Sequence, residues 1–560
     1  MNERKKTLLV GLDAACWAYI NPLLNKTRLP ALKKLMDAGA WGTLQSTMPA
    51  WTPTAWSTLI TGKNPGKHGI YDMTTRQPGS YQTIPTNDKL RHGTPFWRRL
   101  NEAGLKVGLV NIPFTYPPQS LEGFLVCGFG TPGSAQDITY PANIMTWIKS
   151  ELGVFEPVVD PDLLLNGKPE QIFEAEQKLQ TSQTNIAAQL ADQYQVDVLV
   201  INLMLPDHAN HKMPKLEQVE RAICQSDADL QYLIDAFAPD NVMVISDHGS
   251  SRVKGNFLLQ AWLRDNGYYV QTKRPKTERK TALNWILYQW LHMIQGKSGI
   301  VEKGLRHLYL ATIPHLPANI TQKWWEKVDQ AIPFAREHVD YTNQPDFERT
   351  KVFPGTIHSG LLYLNMAGRE PTGVVSPHEK DLLITELTNK LGALSDPETG
   401  QLLFPNIYTA DQIYTGAATR LAPDLILDTY QTSWNIQLSS HDAIVDQARE
   451  RYFVSGRDYG YHSRDGIYVF SGPAFQSNGK AKQSDLVDIP ATLLYLHGVP
   501  IPEDYDGRVL THLFTTEFRN KSKPLSQPGD TETDIETKNP YTQQEADELF
   551  DHLRALGYVE

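Results

Sequence analysis

Cysteine is scarce in this chain: Cys16, Cys127 and Cys224 are the only three in 560 residues, and no CxxC spacing links them. That excludes a disulfide framework and a thiolate zinc site, and leaves the three as small buried apolar groups. No apolar run approaches the roughly 20 residues needed to span a bilayer. The longest late stretch, 281–294, is broken by Asn284, Gln289 and His292. The basic start of the sequence leads into only a short apolar run that ends at Asp13, which reads as a strand and not as a secretory signal. A cytoplasmic protein without a membrane span is the expectation. Excess positive charge is also missing. Lys and Arg number 53 against 63 Asp and Glu, a net charge of −10, so nothing favours a nucleic acid polymer or an anionic membrane as partner.

What remains is globular: 41% hydrophobic, 21% charged and 10% aromatic residues, with ordinary Gly and Pro usage. A chain this long makes several domains or one large α/β enzyme with insertions. Apolar runs that read as buried strands recur at 7–12, 106–111, 196–204, 241–246 and 466–471, each followed by turn residues and helical periodicity. Amphipathic stretches at 29–38, closed by Gly39, and at 217–237 are the clearest helices. This alternation predicts an α/β fold with a mostly parallel central sheet and helices on both faces. Residues 270–332, rich in Trp, Lys and Arg, read as a helical insertion whose aromatic stripe is core packing. The catalytic core is then 1–269 with 333–520. Residues 521–560 form a tail, with a flexible linker at 524–539 and a short helix at 543–556 that docks back.

Ligands in such sheets gather at the carboxyl ends of the strands. Asp13 ends the first strand, Asp207 follows the 196–204 run, Asp247 and His248 end the next, and His462 stands just before the last. His211, four residues after Asp207, shares its face if that turn is helical. Each element alone has a plainer reading: Asp13 as a turn carboxylate, Asp207 as a cap, His211 as a surface histidine. Together they are a set of metal ligands on one edge. A nucleophile is offered by Thr52 in Met-Pro-Ala-Trp-Thr-Pro-Thr-Ala-Trp-Ser. Because Pro53 suits the first position of a helix, Thr52 reads as its N-cap, where free N–H groups and the dipole favour phosphoryl oxygens. A hydroxyl there needs its proton removed, which a divalent cation achieves without a histidine base.

These residues, in this order, resemble the alkaline phosphatase superfamily, in its type I phosphodiesterase / nucleotide pyrophosphatase branch. The matching pattern is Asp13, Thr52-Pro-Thr-Ala-Trp, the Thr61 to Ile70 segment with Lys63, Lys67 and His68, Asp207-x-x-x-His211, Asp247-His248-Gly249 and Gly460-Tyr-His462. Gly368 to Pro371, Pro423-Asp424 and Asp506-Gly507-Arg508 resemble a microbial subgroup of it. The resemblance implies an alkaline-phosphatase-like fold over about residues 5–515 and a two-metal hydrolysis of small phosphate esters through a phosphothreonine intermediate. One metal would be held by Asp13, Asp247, His248 and Thr52, the other by Asp207, His211 and His462. Nitrogen and carboxylate ligands suit Zn²⁺, with Mn²⁺ as a substitute.

One departure bears on substrate. Nucleotide pyrophosphatases carry an Asn three positions beyond the Ile of this His-Gly-Ile motif, and here that position is Met73, which cannot donate a hydrogen bond. Asp72, Lys63 or a group from the insertion would replace it, or the substrate is not a nucleotide diester. Arg464 is the cationic residue that a phosphomonoesterase or phosphomutase of the same fold would use. A third reading is a non-catalytic phosphate-binding regulatory protein. A sulfatase is disfavoured, since Thr52 and Trp56 stand where that family has Cys or Ser and Arg. His358, before an apolar run at 360–365, reads first as a structural histidine, with a place facing the cleft as the alternative.

Overall fold

The computed structural model describes residues 5–153, 155–275, 341–356, 360–437, 452–477, 479–530 and 539–559. The chain divides into two compact units, Met1–Asp265 with Lys351–Glu560, and Asn266–Thr350.

The first unit is organised by a ten-stranded sheet. Its centre is five parallel strands in the spatial order Asn241–Ile245, Thr7–Leu12, Val198–Leu203, Val107–Ile112 and Gly123–Cys127. Every residue of the first four is buried, which is why they read as unbroken apolar runs and not as alternating ones. Asp465–Ser471 joins antiparallel, between Asn241–Ile245 and Gly39–Gln45. The helix Leu216–Phe237 buries Val219, Ala222, Ile223, Leu230, Leu233 and Phe237, the three-and-four spacing of a face turned to a core. From that helix Asp227 accepts hydrogen bonds from the N–H groups of Ala31 and Leu32 at 3.0 and 2.8 Å. It thereby satisfies the open first turn of Pro30–Ala38, whose own N-cap residue, Leu29, has no side chain to do so.

A smaller sheet stands apart. Gly249–Leu258 pairs antiparallel with Phe453–Ser463 and parallel with Trp434–Gln437. The pairing sets His462 opposite Ser250, two residues beyond His248, across a gap of more than two hundred positions in sequence.

In the second unit, Gln271–Pro275 and Tyr341–Pro345 form an antiparallel pair. The segment expected to be a helical insertion thus opens as a strand, and its remainder, 276–332, lies outside the described residues, as does His358.

The stretch expected to be a flexible linker is fastened at its near end. Ser526–Gln527 pairs with Ile501–Pro502, and Asp530 accepts hydrogen bonds from the Thr94 N–H at 2.9 Å, the Thr94 hydroxyl at 2.7 Å and the Lys63 ammonium at 2.7 Å, besides one from Arg99. A lack of apolar residues does not preclude anchoring by charge. Residues 531–538 of this stretch lie outside the described residues. The helix Gln543–Leu556 then begins with a capping box between Thr542 and Glu545 and buries Leu549, Leu553 and Leu556. It ends at Gly557, whose φ of 94° only glycine adopts readily, and that turn sends Tyr558 into the interior. Among the described residues no helix is long and apolar enough to cross a membrane.

Candidate active site

The carboxyl ends of three adjacent parallel strands supply most of the site. Asp13 follows Thr7–Leu12, and its N–H donates to the Leu203 carbonyl at 3.1 Å. Val198–Leu203 runs into the helix Leu205–Lys212, which carries Asp207 and His211 one turn apart. Asn241–Ile245 leads to Asp247 and His248, and the smaller sheet brings His462 alongside, its ring stacked on that of His248 with centroids 3.8 Å apart. Asp13, Thr52, Asp207, Asp247, His248 and His462 are all at most 1% exposed.

Two groups of potential ligating atoms result. In one, Asp207 Oδ1 lies 3.4 Å from both His211 Nε2 and His462 Nε2, and the two nitrogens are 2.9 Å apart. In the other, His248 Nε2 lies 3.6 Å from Asp13 Oδ1, 3.3 Å from Asp247 Oδ2 and 3.1 Å from Thr52 Oγ1. Asp207 stands between the groups, since its carboxylate also falls within 4.8 Å of ligating atoms of Asp13 and His248. Tetrahedral coordination with bonds of about 2.0–2.1 Å sets neighbouring ligands about 3.3 Å apart, which is the spacing seen in both.

The chain fixes which nitrogen of each ring is free. His462 Nδ1 donates to the Ala50 carbonyl at 2.9 Å and His248 Nδ1 to the Gly249 carbonyl at 3.1 Å, so both Nε2 atoms turn to the site as acceptors. Charge is left unresolved. One oxygen each of Asp13 and Asp207 and both of Asp247 have no hydrogen bond. Burial, and then the neighbouring Asp207, push the Asp13 carboxyl up to about 7. Burial, followed by Asp13 and Asp207, raises Asp247 well above the usual carboxylate range. Burial also holds His248 well below its ordinary value, with His462 adding to it. Asp207 alone among the acids is lowered: burial opposes this, and the attraction of His211 and His462 overcomes it. Three acids and three imidazoles gathered in a buried pocket form a donor set whose chemistry suits divalent cations.

Thr52 differs from the sequence expectation by one position. The Trp51 carbonyl accepts the Ala55 N–H at 2.8 Å, so Trp51 is the N-cap and Thr52 the first residue of the helix Thr52–Thr61. Its hydroxyl is therefore not spent on capping and faces His248.

Of the residues expected to touch substrate, Lys63 and Asp72 have partners within the chain, and Arg464 is engaged only in part. Lys63 is 5% exposed and its ammonium is neutralised by Asp504 and Asp530. Asp72 accepts from the N–H groups of Met73 at 2.8 Å and Thr356 at 3.1 Å, and from the Thr356 hydroxyl. Arg464 donates from Nη2 to the Ser46 carbonyl at 3.2 Å, while its Nε is buried without a hydrogen bond. Met73 is fully buried.

Two contributors escaped the sequence reading. Asn202 donates to Asp13 Oδ2 at 2.8 Å, and it can lie there because its partner across the strands is Gly11, where a Cβ would come within 2.4 Å of the Asn202 amide oxygen. A lone polar residue within the run Val-Leu-Val-Ile-Asn-Leu was the available signal. The other is Tyr558, whose hydroxyl donates to Asp207 Oδ2. No motif marks it.

Among solved structures, the chain is similar to murine ectonucleotide pyrophosphatase / phosphodiesterase 5, in an inactive form in complex with AMP. Identity is 13% and the TM-score 0.46, with 91% of this chain and 100% of that one covered. It is also similar to phosphonoacetate hydrolase from Sinorhizobium meliloti 1021 in complex with phosphonoacetate, at 12% identity and a TM-score of 0.48, covering 87% of this chain and 94% of that one. No curated protein sequence matches the chain. The sequence model of one family matches residues 7–463, a span that contains all seven residues expected to ligate metal, and the chain belongs to that family: type I phosphodiesterase / nucleotide pyrophosphatase.

Proposed function

We propose that this protein is a two-metal hydrolase that cleaves phosphodiester or pyrophosphate bonds in small phosphate esters, with Thr52 as nucleophile. The observation that carries the reading is the Thr52 hydroxyl 3.1 Å from His248 Nε2, beside buried carboxylate oxygens that have no hydrogen bond. Asp13, Asp247, His248 and Thr52 would hold one cation, and Asp207, His211 and His462 the other. Bound there, the cations supply Lewis-acid stabilisation of the phosphoryl oxygens and lower the pKa of the nucleophile. Oxygen and nitrogen ligands without thiolate favour Zn²⁺, with Mn²⁺ able to replace it.

Thr52 Oγ attacks phosphorus as its proton passes to water, the bond to the leaving oxygen breaks with its electron pair going to that oxygen, which takes a proton back from water, and the phosphoryl group is esterified to Thr52. Water then attacks the phosphothreonine, releasing the phosphate product and restoring the hydroxyl. The first turn of Thr52–Thr61 faces the same group with the positive end of its dipole. His248 and His462, each locked in one tautomer by a backbone carbonyl, keep the ligand set from rotating as charge moves.

Met73 supports a substrate other than the usual nucleotide diester, because a buried thioether offers no donor to a phosphoryl oxygen. The unpaired Nε of Arg464 favours the second reading, a phosphomonoesterase or phosphomutase, in which that guanidinium would meet the extra charge of a terminal phosphate. Turnover of bis-p-nitrophenyl phosphate against p-nitrophenyl phosphate, on protein of measured metal content, separates the two. Faster diester cleavage is expected; a strong preference for the monoester overturns it, and metal-loaded protein that turns over neither is a binding protein.

A further inference from the structure

The two oxygens of Asp207 are divided between different partners. Oδ1 faces His211 and His462 at 3.4 Å from each and has no hydrogen bond, while Oδ2 accepts the Tyr558 hydroxyl. Tyr558 is fully buried. Its ring packs against His211 at 4.9 Å between centroids, Phe129 at 5.6 Å, Trp51 at 6.3 Å and His462 at 6.4 Å. It therefore touches two ligand histidines and the ligand aspartate, and it stands beside the N-cap of the Thr52 helix. None of this comes from the sheet that builds the rest of the site. It is delivered by the helix Gln543–Leu556 and the glycine turn after it.

We propose that Tyr558 is a positioning residue for the Asp207–His211–His462 group, and that docking of the C-terminal helix completes this half of the site. The inference rests on the two-metal reading above. An aspartate is free to offer a cation either one oxygen or both, and its carboxylate rotates unless something holds it. A phenol donates a single hydrogen bond, which fixes the plane of the carboxylate and leaves Oδ1, free of hydrogen bonds, aimed at the ligand group. Partners of this kind, which hold a ligand without touching the metal, typically alter metal affinity or activity 10- to 100-fold. The ring contributes separately, by filling the space beside His211 and His462 and shutting out water. The phenylalanine variant keeps that packing and removes only the hydrogen bond.

The test is competition of full-length wild type and Tyr558→Phe with a chromophoric chelator, together with the visible spectrum of each after loading with Co²⁺. Wild type is expected to bind two cations. Tyr558→Phe is expected to hold one of them as wild type does and the other about 10- to 100-fold more weakly, with a changed Co²⁺ spectrum. Its kcat should be low at limiting metal and recover when Zn²⁺ is added, with KM unaltered, a rescue that a general folding defect would not show. Leu553→Ala, which loosens the helix without touching a ligand, is a second variant and should weaken the same cation. Wild-type affinity for both cations in the two variants, with an unchanged Co²⁺ spectrum, overturns the proposal. Wild type that binds fewer than two cations overturns the two-metal reading instead, and this inference with it.

Discussion

Around Asp530 the chain supplies every countercharge itself: the Lys63 ammonium, the Arg99 guanidinium and both donors of Thr94 converge on one carboxylate. Burial opposes its ionisation, yet those donors outweigh burial and hold Asp530 down at about 2. At the strand ends, Asp13, Asp207 and Asp247 face imidazoles and one another, no Lys or Arg pairs with them among the described residues, and burial with mutual repulsion lifts Asp13 to about 7. The Asp530 side chain is 19% exposed and those of Asp13, Asp207 and Asp247 are fully buried, so partial or full withdrawal of acids from water does not by itself mark a functional site. Compensation separates them. A cluster neutralised from within is a clasp, and one left with bare oxygens is where a ligand of opposite charge would be held.

The sharpest way to break this contrast is at Thr52. Thr52→Ala should lower turnover by at least about 10³-fold while metal analysis still finds close to two ions per chain, because six other side chains keep the ligand set. Undiminished activity would remove the proposed nucleophile. His462→Ala comes next, with one ion expected to be lost and the rate to fall more than about 100-fold. Retention of both ions in that variant would show that His462 is a packing residue, stacked on His248 for other reasons.

The two regions also differ in how far they could be read in advance. Asp13, Asp207 and Asp247 were legible because fully buried parallel strands show as apolar runs, and a carboxylate at the end of each such run stands out. The pair Asp207 and His211 needed only helical spacing. The partner of His462 was not legible, since its strand pairs with Gly249–Leu258, far away in sequence, and such a register depends on the whole fold. Tyr558 was invisible for the same reason: a docking helix was expected at 543–556, but which buried group the tyrosine after its closing glycine meets depends on the whole fold. Lys63 shows the opposite failure. Its place in a motif drew attention to phosphate, while the acids that neutralise it lie beyond residue 500.

Acidity and alkalinity should act on the two clusters with opposite signs. Asp530 has its carboxyl near 2 when folded against an ordinary value of 3.8, so its contribution is present above about pH 4 and is lost as pH falls toward 2. Asp13, raised to about 7, leaves the metal-free folded protein holding more protons than the unfolded chain between about pH 4 and 7. Its effect is that metal-free stability falls as pH rises through that window. Denaturant unfolding of chelated protein at several pH values is the measurement. Asp13→Asn should flatten the slope above pH 4, and an unchanged slope would mean that other groups carry it.

The smallest effect is expected at the clasp. Asp530→Ala leaves Lys63 with Asp504 alone and should cost about 1–2 kcal/mol of stability, the range for removing one partner from a buried charge that keeps another. It should leave kcat, KM and metal content where they were. The variant is informative because Lys63 occupies a position where a phosphate contact was expected from sequence. If Asp530→Ala changes KM while both ions stay bound, the Lys63 ammonium is serving substrate as well as the fold, and the division between a clasp and a site no longer holds at that residue.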